Sequence, residues 1–312
     1  MRKQLCDALV ARSVKPDMVF FTGDLGFMAL EPLQQAMQDR FINAGVAEQN
    51  MVSVAAAMAR EGFDAWVYTI APFCYARPFE QIRNDVAFHN LPVKLIGNGG
   101  GYGYGVMGPT HHAIEDYGVM LSLPNMRVFI PVFDEDVEAV VVRASDTSGP
   151  AYIRLGRGEI PFGYNVPAYA PWRQLTHGNG MVVIVAGPLA GTYIDAFQRL
   201  PEENRPNLWI VAELPLEYNP LPVALIKQLY SGCGLCVVEE HVRRGGLGSE
   251  LALLLLDNKM DVSDFYHLYA KAHYYATHGS QTFLRIQSGL DVKHVLAIVS
   301  SRSLTPLLVL EQ

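Results

Sequence analysis

The sequence is poor in the features that would place it in several large protein classes. Four cysteines in 312 residues are too few for a disulfide framework, so a reducing, cytoplasmic setting is expected. The longest unbroken aliphatic runs, such as Leu251 to Leu256, fall far short of the roughly 20 residues that span a bilayer. Residues 1–13 carry Arg2, Lys3, Asp7 and Arg12 with no sustained apolar stretch, so no secretory leader is expected. Charged residues make up only 18% of the chain, and no basic block stands out. The 24 Lys and Arg face 31 Asp and Glu for a net charge of -7, which argues against nucleic acid as a partner. A P-loop, a G-x-G-x-x-G fingerprint and a G-x-S-x-G elbow are all missing. A Rossmann dehydrogenase and a serine hydrolase therefore find no support.

What is present is apolar residue, at 50%, enough for two domains with real cores. Short apolar runs alternate with helical segments: Met18 to Thr22, Trp66 to Ile70, Val93 to Ile96, Arg127 to Pro131 and Tyr152 to Leu155 read as strands. Ala47 to Arg60, Pro78 to Phe88, His112 to Leu121 and Asp134 to Ser145 read as the helices between them. Strands of continuous apolar character alternating with helices predict an α/β fold with mostly parallel sheets covered on both faces. The rhythm breaks between Gly158 and Arg173, where Pro161, Gly163, Pro167 and Pro171 cluster. That composition predicts a linker at about 161–173 between a domain over 1–160 and a smaller one over 174–312. In the second half, Met181 to Ala186, Leu208 to Ala212 and Leu235 to Val238 read as strands.

Few motifs stand out singly. Cys233-Gly-Leu-Cys236 has no second pair and runs straight into a strand, so both residues are expected to be buried structural thiols rather than zinc ligands or a redox pair. The run Gly97 to Gly108 demands sharp backbone turns or the close approach of another group, or is a flexible loop. Thr110 can cap a following helix with His111 at its start. Glu48, in Gly45-Val-Ala-Glu48-Gln-Asn50, sits where a strand-like segment turns into a helix, a position where the helix dipole favours a carboxylate.

Read in order, several segments resemble the pyrimidine-binding half of the transketolase family of thiamine diphosphate enzymes. They are Thr22-Gly-Asp24-Leu25, Phe41-Ile-Asn-Ala-Gly-Val-Ala-Glu48-Gln-Asn-Met51, Phe79-Glu-Gln-Ile-Arg83, Leu91-Pro-Val93, Gly108-Pro-Thr-His111 with Ile114-Glu-Asp116, and Leu123-Pro-Asn-Met126. Val238-Glu-Glu240, Gly245-Gly-Leu-Gly-Ser249 and His278-Gly279 resemble the family's C-terminal domain. The resemblance implies that Glu48 faces N1′ of the cofactor's aminopyrimidine, holding or sharing a proton so that the thiazolium carbon can be deprotonated. It places Asp24, Leu25, Ile70 and Phe73 around the pyrimidine, with Ile70 departing from the family's aromatic. His111 faces the substrate beside the thiazolium, and Arg157, with Arg154 as competitor, binds substrate phosphate, as does Arg2. Met107, Met28 and the Asn98/Gly99 position stand where the family carries Asp, Ser and His, so a substrate other than that of pentose-phosphate transketolases is expected.

In the family the diphosphate and its Mg²⁺ are held by a separate domain with a G-D-G motif and a downstream Asn; here Gly23-Asp24 is followed by Leu25. The resemblance thus implies the C-terminal subunit of a split enzyme. It would carry no metal itself, pair with a diphosphate-binding chain as a dimer of heterodimers, and act on a sugar or oxo-acid away from membranes. A two-carbon transfer is the leading activity, with a pyruvate-decarboxylating carboligase, a 2-oxo-acid dehydrogenase β-like subunit and a non-catalytic scaffold as alternatives.

Overall fold

A computed structural model describes residues 1–271 and 278–300. Two sheets organise the chain. The first contains β1 (Met18–Thr22), β2 (Phe41–Asn43), β3 (Asp64–Ile70), β4 (Lys94–Asn98), β5 (Arg127–Phe129) and β6 (Ala151–Leu155). The second contains β7 (Trp172–Gln174), β8 (Val182–Ala186) and β9 (Asn207–Val211). After β9 the chain returns to the first sheet for β10 (Glu213–Leu214), and then completes the second with β11 (Leu235–Glu239) and β12 (Phe265–Tyr269). The first sheet runs β10-β5-β6-β4-β3-β1-β2 and the second β12-β11-β8-β9-β7. Only the added edge strands β10 and β7 are antiparallel. The mixed but mainly parallel α/β architecture is the one the apolar periodicity predicts. Every residue of β1, β6, β8, β9 and β11 is buried, because helices cover both faces.

The helices that position the site are α1 (Arg2–Arg12), α2 (Glu31–Met37), α3 (Glu48–Arg60) and α4 (Ala71–Tyr75). Helix α3 buries Met51, Val52, Ala55, Ala56 and Ala59 against the sheet, a helical spacing of small and apolar groups that lets the helix lie close to β3.

Several expected elements differ in extent. The helix expected over Pro78 to Phe88 is a short turn at Phe79–Gln81 followed by a π-helical segment, Ile82–Ala87, within which Asp85 accepts a hydrogen bond from Ser53 of α3 at 2.6 Å. The helix expected from His112 begins only at Asp116. Ala113 is held extended by reciprocal backbone bonds with Gly101, which takes the amide a helix would need. Thr110 caps nothing; its hydroxyl meets His111 Nδ1 at 3.0 Å. The end of the proline-rich segment, Trp172 and Arg173, lies within β7 and pairs with β9. Helices α1, α2 and α4 and strands β7, β10 and β12 were not legible in the pattern. Cys236 is buried, which pushes its thiol up to about 12, whereas Cys233 is only half-buried, contrary to expectation, with Sγ 3.2 Å from the Gln228 carbonyl.

Candidate active site

The carboxyl ends of β1, β3 and β4 meet side by side: Thr22 pairs with Tyr68, and Ile70 with Asn98. Chains leaving parallel strands at such an edge diverge and leave a crevice. At the end of β1, Asp24 adopts φ 55 and is locked to Asn43 by reciprocal bonds of 3.0 and 3.1 Å. Thr22 donates to the Leu25 carbonyl at 2.8 Å. The turn thus aims Leu25 into a cleft of about 160 Å³ that it shares with Arg2, Tyr68, Ile70, Asn98 and Tyr104.

A second group of side chains continues the crevice. Glu48 opens α3 with a carboxyl only 5% exposed. Its Oε1 accepts from Arg77 Nη1 at 2.8 Å, and the Arg77 guanidinium lies over the Phe73 ring at 3.7 Å. The edge of Phe73 meets the His111 imidazole, with centroids 5.2 Å apart, and His111 lies 6.4 Å from Tyr104. Tyr104 accepts a 2.6 Å bond from Asn98 and so joins the two groups into one groove.

Asp24, Leu25, Glu48, Ile70, Phe73, Asn98, His111 and Arg2 all fall on this edge. Met107 is 56% exposed on the single-turn helix Gly105–Met107 just before His111. Met28 is fully outward at 96% exposure. Arg157 is exposed beyond β6 and lines no part of the groove. Its competitor Arg154 is buried and committed elsewhere: it donates to Asp116 at 2.8 Å and to the carbonyls of Ala113 and Glu240 at 3.0 and 2.8 Å. His278 is exposed, and a Cβ on Gly105 would come within 2.5 Å of the Gly279 carbonyl.

Sequence reasoning passed over three residues at this edge. Arg77 lay just before the helix expected over Pro78 to Phe88 and carried no motif. Tyr104 lay in the glycine-rich run, whose glycines are there for packing: Gly99 has φ +76, and a Cβ on it would strike the Tyr104 ring at 2.3 Å, while Tyr102 is wholly buried. The third is Thr69, fully buried, with an Oγ1 that has no hydrogen-bond partner among the described residues. It borders Gly23, where a Cβ would sit 3.3 Å from Thr69 Oγ1 and 3.7 Å from Glu48 Cγ. An orphaned hydroxyl, a buried carboxyl and a half-buried aromatic face beside a glycine fit a flat heteroaromatic ring with polar edges.

The fold and this edge belong to a known class. Residues 7–162 match the pyrimidine binding domain of transketolases, and the chain is a member of the transketolase family. Over 278 residues it is 29% identical to one of the subunits of the apulose-4-phosphate transketolase of Actinobacillus succinogenes, covering 87% of this chain and 88% of that one. It is 32% identical to 1-deoxy-D-xylulose-5-phosphate synthase 2 of Geobacter sulfurreducens, covering 85% of this chain and 42% of the synthase. Among solved structures, a split-gene transketolase described as an inactive β4 tetramer superimposes with a TM-score of 0.79 at 28% identity, covering 96% of each chain.

Proposed function

We propose that this chain is the pyrimidine-holding subunit of a thiamine-diphosphate-dependent enzyme that moves a two-carbon unit onto an aldehyde or ketone, with the diphosphate and Mg²⁺ held by a partner polypeptide. The observation that carries the reading is Glu48: a carboxyl 5% exposed at the start of a helix, beside the orphaned Thr69 hydroxyl, and linked to Phe73 through one guanidinium. When bound, the cofactor supplies a carbon nucleophile and an electron sink. Glu48 is placed to hold or take a proton at the N1′ edge of the aminopyrimidine. Phe73 and Ile70 would flank the ring, with Leu25 and Asp24 on the turn beside it. His111, next along the groove, is placed to move a proton at the substrate oxygen, and Asn98 and Arg2 offer donors to a polar or anionic substrate. Arg157, exposed beyond β6 and outside the groove, takes no part in this reading. Two relatives of comparable length are a subunit of an apulose-4-phosphate transketolase and a split-gene transketolase, which supports a diphosphate-binding partner and a two-fold assembly of heterodimers.

A second reading, a carboligase that decarboxylates pyruvate, is favoured by the apolar Met107 just before His111, since an unpaired sugar hydroxyl beside it is penalised. Release of CO2 from pyruvate by the reconstituted complex separates the two readings.

The test of the main reading is Glu48→Gln. An amide cannot deliver a proton to N1′, so the variant is expected to fold and assemble while turnover drops by about two to four orders of magnitude. Proton–deuterium exchange at the thiazolium carbon in the complex is the direct measurement. Exchange at the wild-type rate would return Glu48 to a helix-dipole role.

A further inference from the structure

We infer that Arg77 is a stand-in for the aminopyrimidine ring, occupying the slot until the ring displaces it; this rests on the reading of Glu48 and Phe73 given above. The guanidinium is flat, delocalised and rimmed with N–H donors. It makes at once the two contacts expected of the ring: it lies on the Phe73 face at 3.7 Å and donates to Glu48 Oε1 at 2.8 Å. A ring seated on that same Phe73 face and bonded to that same Glu48 oxygen cannot share them with the guanidinium, so in this arrangement binding of the ring requires the side chain of Arg77 to leave.

The surroundings permit that exchange. Arg77 follows α4 and precedes the Phe79–Gln81 turn, so it lies outside regular structure. Its side chain is 44% exposed, against 5% for Glu48, and open space lies outward along Val46, Gln49 and Asn50. Its backbone is tied, with the carbonyl accepting from Gln49 Nε2 at 3.3 Å, so the motion is a rotamer change. Among the described residues no other cation reaches Glu48. The device answers a physical need: a buried carboxylate left without a partner is costly, and Arg77 supplies one whenever the ring is absent. Its consequence is a threshold. Apparent affinity for the pyrimidine is reduced by the fraction of chains in which Arg77 has swung out.

The experiment titrates the purified full-length chain with thiamine, which carries the pyrimidine without the diphosphate, by calorimetry. Arg77→Ala is expected to bind thiamine about tenfold or more tightly than wild type. Arg77→Lys keeps the charge but not the planar stack, and is expected to fall between the two; it serves as the folded variant if alanine destabilises the chain. Equal or weaker binding by both variants overturns the stand-in role. So does the failure of every form to bind at millimolar thiamine, because an emptied slot must then accept the ring. Adding Glu48→Gln to Arg77→Ala separates this inference from the slot itself. Loss of binding in the double variant upholds the slot, and equal wild-type and Arg77→Ala affinities then count against Arg77 alone.

Discussion

Phe73 presents a face to Arg77 and an edge to His111, so one ring borders both the proposed cofactor slot and the proposed substrate end of the groove. Its half-buried position is what distinguishes it from the wholly buried aromatics of the sheet, such as Phe20 and Tyr152. Phe73→Leu keeps an apolar side chain but removes the flat quadrupolar surface. The variant is expected to fold normally and to weaken thiamine diphosphate binding in the complex by about tenfold, the upper range of an aromatic contact beyond its area. Cofactor titration of wild-type and variant complexes checks this; unchanged affinity would make Phe73 plain packing. Arg154 shows the opposite outcome for a residue read as a site candidate. Its spacing from Arg157 could not tell the two apart, and only burial against Asp116 identified it as a structural ion pair.

At the scale of elements, β11 is tied to the first sheet's side of the molecule through Glu239, which is wholly buried. Its carboxylate accepts from Tyr117 of the Asp116–Leu121 helix, from the Leu247 and Gly248 amides at 2.8 and 2.9 Å, and from His267 of β12 at 2.6 Å. Those amides open the helix Leu247–Asp257, so the dipole also favours a negative charge here. Burial by itself would raise the carboxyl; the His267 hydrogen bond and the nearby His241 and His267 outweigh it and hold it below its ordinary 4.5. A carboxyl lowered by folding contributes stability above its unfolded pKa and loses it as the pH falls through the folded value. Glu239→Gln is expected to cost roughly 3 kcal/mol near neutral pH, since an amide meets four donors with one acceptor. It should also flatten the acid limb of the stability curve. Urea unfolding of the full chain between neutral pH and pH about 4 measures both; a parallel shift at every pH would mean that the charge of Glu239 does not contribute.

At the scale of the whole molecule, the loops that leave β1, β2 and β4 at their carboxyl ends carry Phe27, Met28, Val46, Val106 and Met107, all more than half exposed. They surround the groove, and a partner holding the diphosphate would approach there. The chain alone is therefore expected to bind thiamine diphosphate weakly and to turn over nothing. Addition of a diphosphate-binding subunit should restore both and protect these loops from hydrogen exchange. Submicromolar cofactor affinity of the chain alone, or turnover by it, would refute the division of labour. In the restored complex, Met107 and Asn98 predict that xylulose 5-phosphate loses to another donor. A preference for it like that of a pentose-phosphate transketolase would show that these positions do not govern choice.

Apolar runs over β1, β3 and β6 were enough to predict a covered parallel sheet, because a strand buried on both faces admits few polar residues. The ordered motifs around Glu48, His111 and Asp24 were enough to name the family. Short edge strands were beyond reach: Glu213–Leu214 and Trp172–Gln174 are too brief for a period, and their pairing depends on partners distant in sequence. Only the tertiary structure decided that Arg154 is buried while Arg157 is exposed, that Tyr104 folds onto Gly99, and that Arg77 reaches Glu48 from 29 residues away. Local sequence specifies which face of an element is apolar; which polar group meets a buried charge is set by where the elements converge.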